Sequence, residues 1–91
     1  MLEKTIYANG QKVFELKNEH LTYYFKNGAL KAQGPFVKNQ KEGFWQYYRV
    51  NGDLWKEGSY KSGKRHGTWL RLSPEGQVEF EGTYKQGILV K

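Results

Sequence analysis

The chain has 91 residues, no cysteine and a formal net charge of +6. This length corresponds to one small domain, and the lack of cysteine excludes a disulfide framework and a thiolate metal site. Apolar runs of at most three residues exclude a membrane span, and the first residues lack the pattern of a signal peptide. We therefore expect a cytoplasmic protein. The positive charge favours acidic partners or, alternatively, serves solubility alone.

Glycine, aromatic and apolar positions recur at a spacing of 24 residues. A period of this size indicates a repeat architecture, in which one unit cannot bury its apolar face alone. The recurring sets are Gly28, Gly52 and Gly76; Gly34, Gly58 and Gly82; Phe36, Tyr60 and Tyr84; and Trp45 and Trp69.

The first thirty residues are less regular than the rest. A shift of 24 places Gly10 on Gly34 and Val13 on Val37. We interpret residues 5–18 as a degenerate repeat that acts as a cap.

The rest of the chain is predicted to form β-hairpins. Residues 43–50 are rich in strand formers and are followed by Asn51-Gly52, which predicts a two-residue type I′ turn with positive φ at both residues. Asn27-Gly28 occupies the same place one repeat earlier, whereas residues 73–76 (Ser-Pro-Glu-Gly) predict another type of turn. No window has helical periodicity, so we expect an all-β protein.

The predicted turn at Asn51-Gly52 fixes a register. It places Trp45 across from Gly58, Tyr48 across from Trp55 and Arg49 across from Leu54, with Trp69 across from Gly82 one repeat later. We expect each indole to cover the glycine across from it as a packing device. One face is then aromatic along its length and the other is mixed. The aromatic face is predicted to carry Leu21, Tyr23, Phe25, Leu30, Ala32, Gly34, Phe36, Trp45, Tyr47, Arg49, Leu54, Gly58, Tyr60, Trp69, Arg71, Val78, Phe80, Gly82 and Tyr84.

Residues 58–69 (Gly-Ser-Tyr-Lys-Ser-Gly-Lys-Arg-His-Gly-Thr-Trp) resemble the MORN repeat, and more closely its bacterial variant. Residues 34–48 resemble a second copy and residues 82–87 a truncated third. The chain is thus interpreted as one MORN-like domain over residues 1–91, with a cap at 1–19 and repeats at 20–42, 43–66 and 67–91. The resemblance implies one elongated, twisted sheet of stacked antiparallel hairpins. It also implies contacts with proteins or acidic phospholipids, or in bacteria an antitoxin-like role.

Two sets of residues are candidates for binding. Aromatic side chains on a sheet with few elements to cover them are predicted to dock a protein partner: Trp45, Tyr47, Tyr60, Trp69 and Tyr84. Basic residues of the turns between hairpins are the alternative, as a line of cations that binds anionic membrane lipid or merely keeps the turns solvated: Lys38, Lys41, Lys61, Lys64 and Arg65. Unpaired sheet edges also predict a homo-oligomer.

The sequence offers little for catalysis. His20 and His66 are isolated and have no metal-ligand spacing, and we interpret Glu57, Glu79 and Glu81 as surface charge on one polar face rather than as an acid/base pair. Interleaved aromatic and basic residues are similar to single-strand nucleic-acid platforms, but no recognised motif accompanies them. We therefore expect no enzyme, no metal, no cofactor and no nucleic-acid partner.

Overall fold

A computed structural model describes residues 6–90, so the first five residues of the predicted cap and Lys91 lie outside the described residues. This part of the chain forms nine antiparallel strands in one open sheet and no helix, which confirms the all-β, hairpin-based fold. The strands are β1 Phe14–Lys17, β2 His20–Tyr24, β3 Leu30–Val37, β4 Gln40–Lys41, β5 Gly43–Tyr48, β6 Leu54–Lys61, β7 Lys64–Leu72, β8 Val78–Lys85 and β9 Ile88–Leu89. Chain order is also the order across the sheet, with the short β4 paired to β3. Over residues 6–90 the fold provides no helix suited to crossing a membrane.

The turn at Asn51-Gly52 differs from the predicted type I′ turn. Gly52 N–H donates to Arg49 O (2.9 Å) and Arg49 N–H donates to Asp53 O (2.8 Å), which closes a three-residue loop. Within that loop positive φ occurs at Gly52 (98°) and not at Asn51. This is a type I turn followed by a left-handed glycine. The Asn51 side chain stabilises it by accepting the N–H of Asp53 (3.0 Å).

The same three-residue loop closes at residues 7–11, 25–29 and 73–77. The expectation of a different turn at residues 73–76 is therefore wrong. The alignment of Gly10 with Gly34 is also wrong, because Gly10 occupies the place in its loop that Gly28 occupies in the next. Two-residue turns with positive φ at both residues instead join one hairpin to the next, at residues 18–19, 38–39, 62–63 and 86–87.

A β-bulge follows each of the three loops inside the sheet. Trp45 lies across from Gly58 and Trp69 across from Gly82, as predicted. Nearer the turn Tyr48 pairs with Leu54, so the expected Tyr48–Trp55 and Arg49–Leu54 pairs are wrong. The third residue of the loop shifts the register by one position. Trp55, the unpaired residue of the bulge, shifts it back, so the expected pairs recur beyond the bulge.

The bulges change which residues share a face. Leu54 lies directly across from Tyr48, and residues directly across from each other point to the same face. Leu30, Leu54 and Val78 therefore lie on the face opposite the aromatic rings, not among them as expected. At the last bulge Glu79 accepts a hydrogen bond from Nε of Arg71 (3.2 Å), a residue of the aromatic face. Contrary to expectation, Glu79 therefore does not share the opposite face with Glu57 and Glu81.

The core lies on the aromatic face and is small. Its buried apolar residues are Leu21, Ala32, Trp45 and Trp69. Each indole covers a glycine of the preceding hairpin, Trp45 over Gly34 and Trp69 over Gly58, so the expected covering of the glycine directly across is wrong.

The reason is the hydrogen bond that each indole makes. Trp45 Nε1 donates to Pro35 O (2.8 Å) and Trp69 Nε1 donates to Ser59 O (3.0 Å). Each acceptor is the carbonyl of the residue that follows the covered glycine. The bond therefore holds the ring flat over a strand position that has no side chain.

Candidate functional site

The five aromatic residues predicted to bind a partner do come together, but at different depths. Trp45 and Trp69 are 0% and 2% exposed, so they form the floor of the face and are not open to a partner. Tyr47, Tyr60 and Tyr84 are half-buried and lie above them. Tyr60 contacts both indoles edge-on, with ring centroids 6.2 Å from Trp45 and 5.1 Å from Trp69. A partner on this face therefore meets tyrosines rather than tryptophans.

Two of the basic residues assigned to the turns lie on this face instead. Lys41 Nζ lies 5.2 Å from the ring centroid of Trp45 and donates to Tyr47 Oη (3.1 Å). One repeat later, Arg65 Cζ lies 4.5 Å from the ring centroid of Trp69. Lys41 pairs across the strands with Phe36, and Arg65 with Tyr60, which places both cations on the aromatic face.

Lys56 completes the layer of cations. Its Nζ lies 4.9 Å from the ring centroid of Tyr47 and 4.4 Å from that of Trp55. Burial lowers the pKa of Lys56, and repulsion from Arg65, Lys41 and Arg71 lowers this pKa further. Within residues 6–90 the ion pairs are Lys12–Glu15 and Arg71–Glu79, and neither includes Lys41, Lys56 or Arg65. We call Lys41, Lys56 and Arg65 the cation layer; among the described residues its positive charge has no carboxylate partner.

Two tyrosine hydroxyls lie beside the cation layer. The hydroxyl oxygens of Tyr47 and Tyr60 are 2.7 Å apart. Burial raises the pKa of Tyr47, and the hydrogen bond to Tyr60 raises it further, so this phenol stays neutral at physiological pH. Ammonium, guanidinium and hydroxyl donors side by side suit carboxylate oxygens. Lys41 and Arg65 already cover the indole rings.

The remaining basic turn residues, Lys38, Lys61 and Lys64, are exposed. Lys61 and Lys64 border a groove of about 360 Å³ on the face opposite the aromatic rings. We call this the lysine groove; it is lined by Lys61, Ser62, Lys64, His66, Lys85 and Gln86. Sequence reasoning missed Lys85, although its spacing of 24 from Lys61 was a signal for it.

The residues considered for catalysis stay apart. His20 lies near Gln33 (3.4 Å) and His66 in the lysine groove, while Glu57 accepts a hydrogen bond from Gln46 (3.1 Å). Over residues 6–90 no three histidine or acidic side chains are grouped in a way that could hold a metal ion.

Comparison with protein families matches one segment of the chain. The family model described as the MORN repeat variant matches residues 65–86. The matched segment covers most of β7, all of β8 and the first residue of the turn that follows. It includes Arg65, Trp69 and Tyr84 of the aromatic face, and His66 and Lys85 of the lysine groove. No curated protein matches the chain.

Proposed function

We propose that this chain, a MORN-repeat protein by the match over residues 65–86, binds an acidic protein partner through its aromatic face. MORN repeats are non-catalytic modules, and we propose no enzymatic activity for this protein. The observation that carries the proposal is the cation layer of Lys41, Lys56 and Arg65, which is stacked on aromatic rings and has no carboxylate partner within residues 6–90.

The electrostatics of the layer favour an acidic partner. The lowered pKa of Lys56 shows that its charged form is disfavoured by burial and by its cationic neighbours. A partner carboxylate placed beside Lys56 offsets that repulsion and forms charge-assisted hydrogen bonds in a partly desolvated place. The hydroxyls of Tyr47 and Tyr60 add neutral hydrogen-bonding groups next to it.

The buried indoles give the surface its rigidity. Trp45 and Trp69 are buried and are held by hydrogen bonds to backbone carbonyls. A surface whose side chains are already ordered loses less entropy on binding. The proposal therefore assigns direct contact to the tyrosines and cations and a supporting role to the two indoles.

An antitoxin-like role in the cytoplasm is one specific form of this function. In that form the partner is a toxin with an acidic surface, and the module neutralises it by covering that surface.

Affinity capture with matched variants tests the proposal. Wild-type protein, Lys56→Gln and Lys26→Gln are immobilised and exposed to native lysate at low and high salt. Lys26 is an exposed residue of the turn at residues 25–29, so its substitution removes the same charge away from the aromatic face. We expect Lys56→Gln to weaken capture of an acidic protein by at least about tenfold, in line with the loss of one charge-assisted hydrogen bond. Lys26→Gln should capture it normally.

Two results would contradict the proposal. One is a partner that Lys56→Gln retains as well as the wild type does. The other is a partner that both variants lose equally, because that loss reports net charge rather than this face.

Attachment to anionic membrane through the basic turns stays an alternative proposal. It is supported by the stacking of the turns along one side of the sheet, where Gly63 N–H donates to Lys41 O (3.0 Å) and Gly87 N–H to Arg65 O (2.9 Å). Its exposed cations are Lys38, Lys61 and Lys64, since Lys41 and Arg65 point to the aromatic rings. Co-sedimentation with phosphatidylserine vesicles that is lost in Lys61→Glu/Lys64→Glu, and in high salt, is the expected result. Co-sedimentation that neither the double substitution nor high salt reduces would exclude membrane attachment through the turns.

A further inference from the structure

The lysine groove differs in one respect from the equivalent place one repeat earlier. There, the N–H of Ser62 in the two-residue turn donates to Glu42 Oε1 (2.9 Å), so a carboxylate caps the turn. In the last repeat Gln86 replaces Ser62 and His66 replaces Glu42. Among the described residues, no carboxylate takes the place of Glu42 beside the Gln86 N–H.

The backbone at the two places is equivalent, so the comparison is direct. Gly63 N–H donates to Lys41 O (3.0 Å), and 24 residues later Gly87 N–H donates to Arg65 O (2.9 Å). The preceding turn residue has φ of 51° at Ser62 and 53° at Gln86. The Gln86 N–H is therefore presented beside residue 66 as the Ser62 N–H is presented beside residue 42.

The charges around this place also change between the repeats. Lys61 lies directly across from Lys64, where the preceding repeat has Val37 across from Gln40. Like charges directly opposite each other on a sheet are destabilising. Lys85 adds a third cation, and in the part of the chain that the structure describes no carboxylate lines the groove. The last repeat has thus lost an internal carboxylate and gained lysines around the same spot.

We propose that the lysine groove binds a carboxylate of an acidic peptide segment. The carboxylate accepts the N–H of Gln86, in the place that Glu42 has one repeat earlier, and is held by Lys61, Lys64 and Lys85. A groove of about 360 Å³ is in the usual size range of ligand sites, about 300–1,000 Å³. This inference rests on the proposed function only in that the partner is an acidic protein, and it assigns a second, separate contact to that partner.

The test is an amide NMR titration of the full chain with acetylated, amidated hexaglutamate, and with hexaglutamine as the neutral control. We expect hexaglutamate to shift the Gln86 amide, because a charged acceptor forms there, and hexaglutamine to leave it unshifted. Lys64→Gln should weaken this effect several-fold. Lys38→Gln, which removes the same charge at the equivalent turn outside the groove, should leave the affinity within about twofold of the wild type.

A pair of substitutions at His66 makes the test specific. His66→Glu places in the last repeat the carboxylate that Glu42 supplies in the preceding repeat. In the free protein it should shift the Gln86 amide in the same direction as the peptide does, and it should weaken hexaglutamate binding by about tenfold or more. His66→Gln lacks the carboxylate and should do neither. The amide spectra of both variants report whether the sheet is intact.

The outcomes separate this inference from the proposed function. Amide shifts at Lys56 and Trp69 without a shift at Gln86 would overturn the inference. They would not contradict the proposal that the partner binds the aromatic face. Shifts at Gln86 alone would support the inference and contradict the assignment of binding to the aromatic face. Inorganic phosphate or phosphatidylserine vesicles that shift Gln86 where hexaglutamate does not would overturn the assignment of a carboxylate.

Discussion

Substitution of Gly58 by alanine tests how the repeats are held together. An ideal Cβ at this position would lie 2.2 Å from Trp69 Cδ2, about 1.3 Å closer than the roughly 3.5 Å at which carbon atoms pack. Because the ring is buried and faces the backbone, the indole itself must move. Overpacking of this kind costs about 1–3 kcal/mol. Moving the ring also weakens its hydrogen bond to Ser59 O (3.0 Å), at a further cost of about 1–3 kcal/mol if the groups stay buried and unpaired. We expect Gly58→Ala to lower the free energy of unfolding by about 2–6 kcal/mol, the sum of the two costs.

Gly82→Ala is the matched control. Gly82 occupies the same place one repeat later, but the atoms that its Cβ would meet at 2.7 Å are Leu89 Cδ1 and Phe80 Cζ, the ends of flexible side chains. These can rotate away, so we expect a change below about 1 kcal/mol. Denaturant unfolding followed by tryptophan fluorescence measures both variants under one set of conditions. Equal losses at Gly58 and Gly82, or no loss at Gly58, would refute the assignment of Trp69 to the glycine of the preceding hairpin.

Three further predictions follow from the same geometry. Gly34→Ala should cost about as much as Gly58→Ala, because its Cβ would lie 2.4 Å from Trp45 Cγ; chemical denaturation checks this, and a neutral result contradicts it. Lys56→Gln should raise the melting temperature at pH 7, because the folded protein holds the pKa of this amine below its usual 10.5. The wild type gains stability as pH rises through the lowered pKa, so the advantage of the variant should vanish above about pH 10.5; thermal melts across this range showing a constant difference would contradict the cause. Gly52→Ala should cost about 1–2 kcal/mol because φ is 98° there, whereas Asn51→Ser, at a residue without positive φ, should cost less; equal costs in denaturant unfolding would favour the type I′ turn.

The pairing of Trp45 with Gly58 could be predicted from the sequence because two shifts in strand register cancel each other. The dipeptide Asn51-Gly52 correctly reports a glycine with positive φ, but it does not distinguish a two-residue from a three-residue loop. The third loop residue shifts the register by one, and the bulge at Trp55 shifts it back. Trp45 therefore meets Gly58 as expected, while the residues between the turn and the bulge do not pair as expected.

The placement of Lys41 and Arg65 on the aromatic face could be predicted from the sequence. With a two-residue turn at residues 38–39, counting outward from it places Lys41 across from Phe36, on the aromatic face. The composition of these turns alone assigns both cations to solvent. Their alternation of side chains, not their composition, determines which cations face solvent.

Counting the register does not predict which neighbouring glycine each indole covers. The register places Trp45 beside two glycines, Gly58 on one neighbouring strand and Gly34 on the other. The choice between them depends on the side-chain rotamer and on the acceptor at Pro35 O, which are properties of the folded sheet. The burial of Trp45 and Trp69, and hence the restriction of the binding surface to tyrosines and cations, follows from that choice.

The central claim is that an acidic protein binds the aromatic face, and position-specific photocrosslinking tests it most directly. A photoreactive amino acid replaces Arg71, which is exposed on the aromatic face, or Val78, which is exposed on the opposite face at the end of β8 remote from the lysine groove. Irradiation in native lysate should give one acidic protein crosslinked from position 71 and not from position 78. The added change Lys56→Gln should remove that product. An acidic protein crosslinked from position 78 alone, or crosslinked equally from both positions, would contradict the claim.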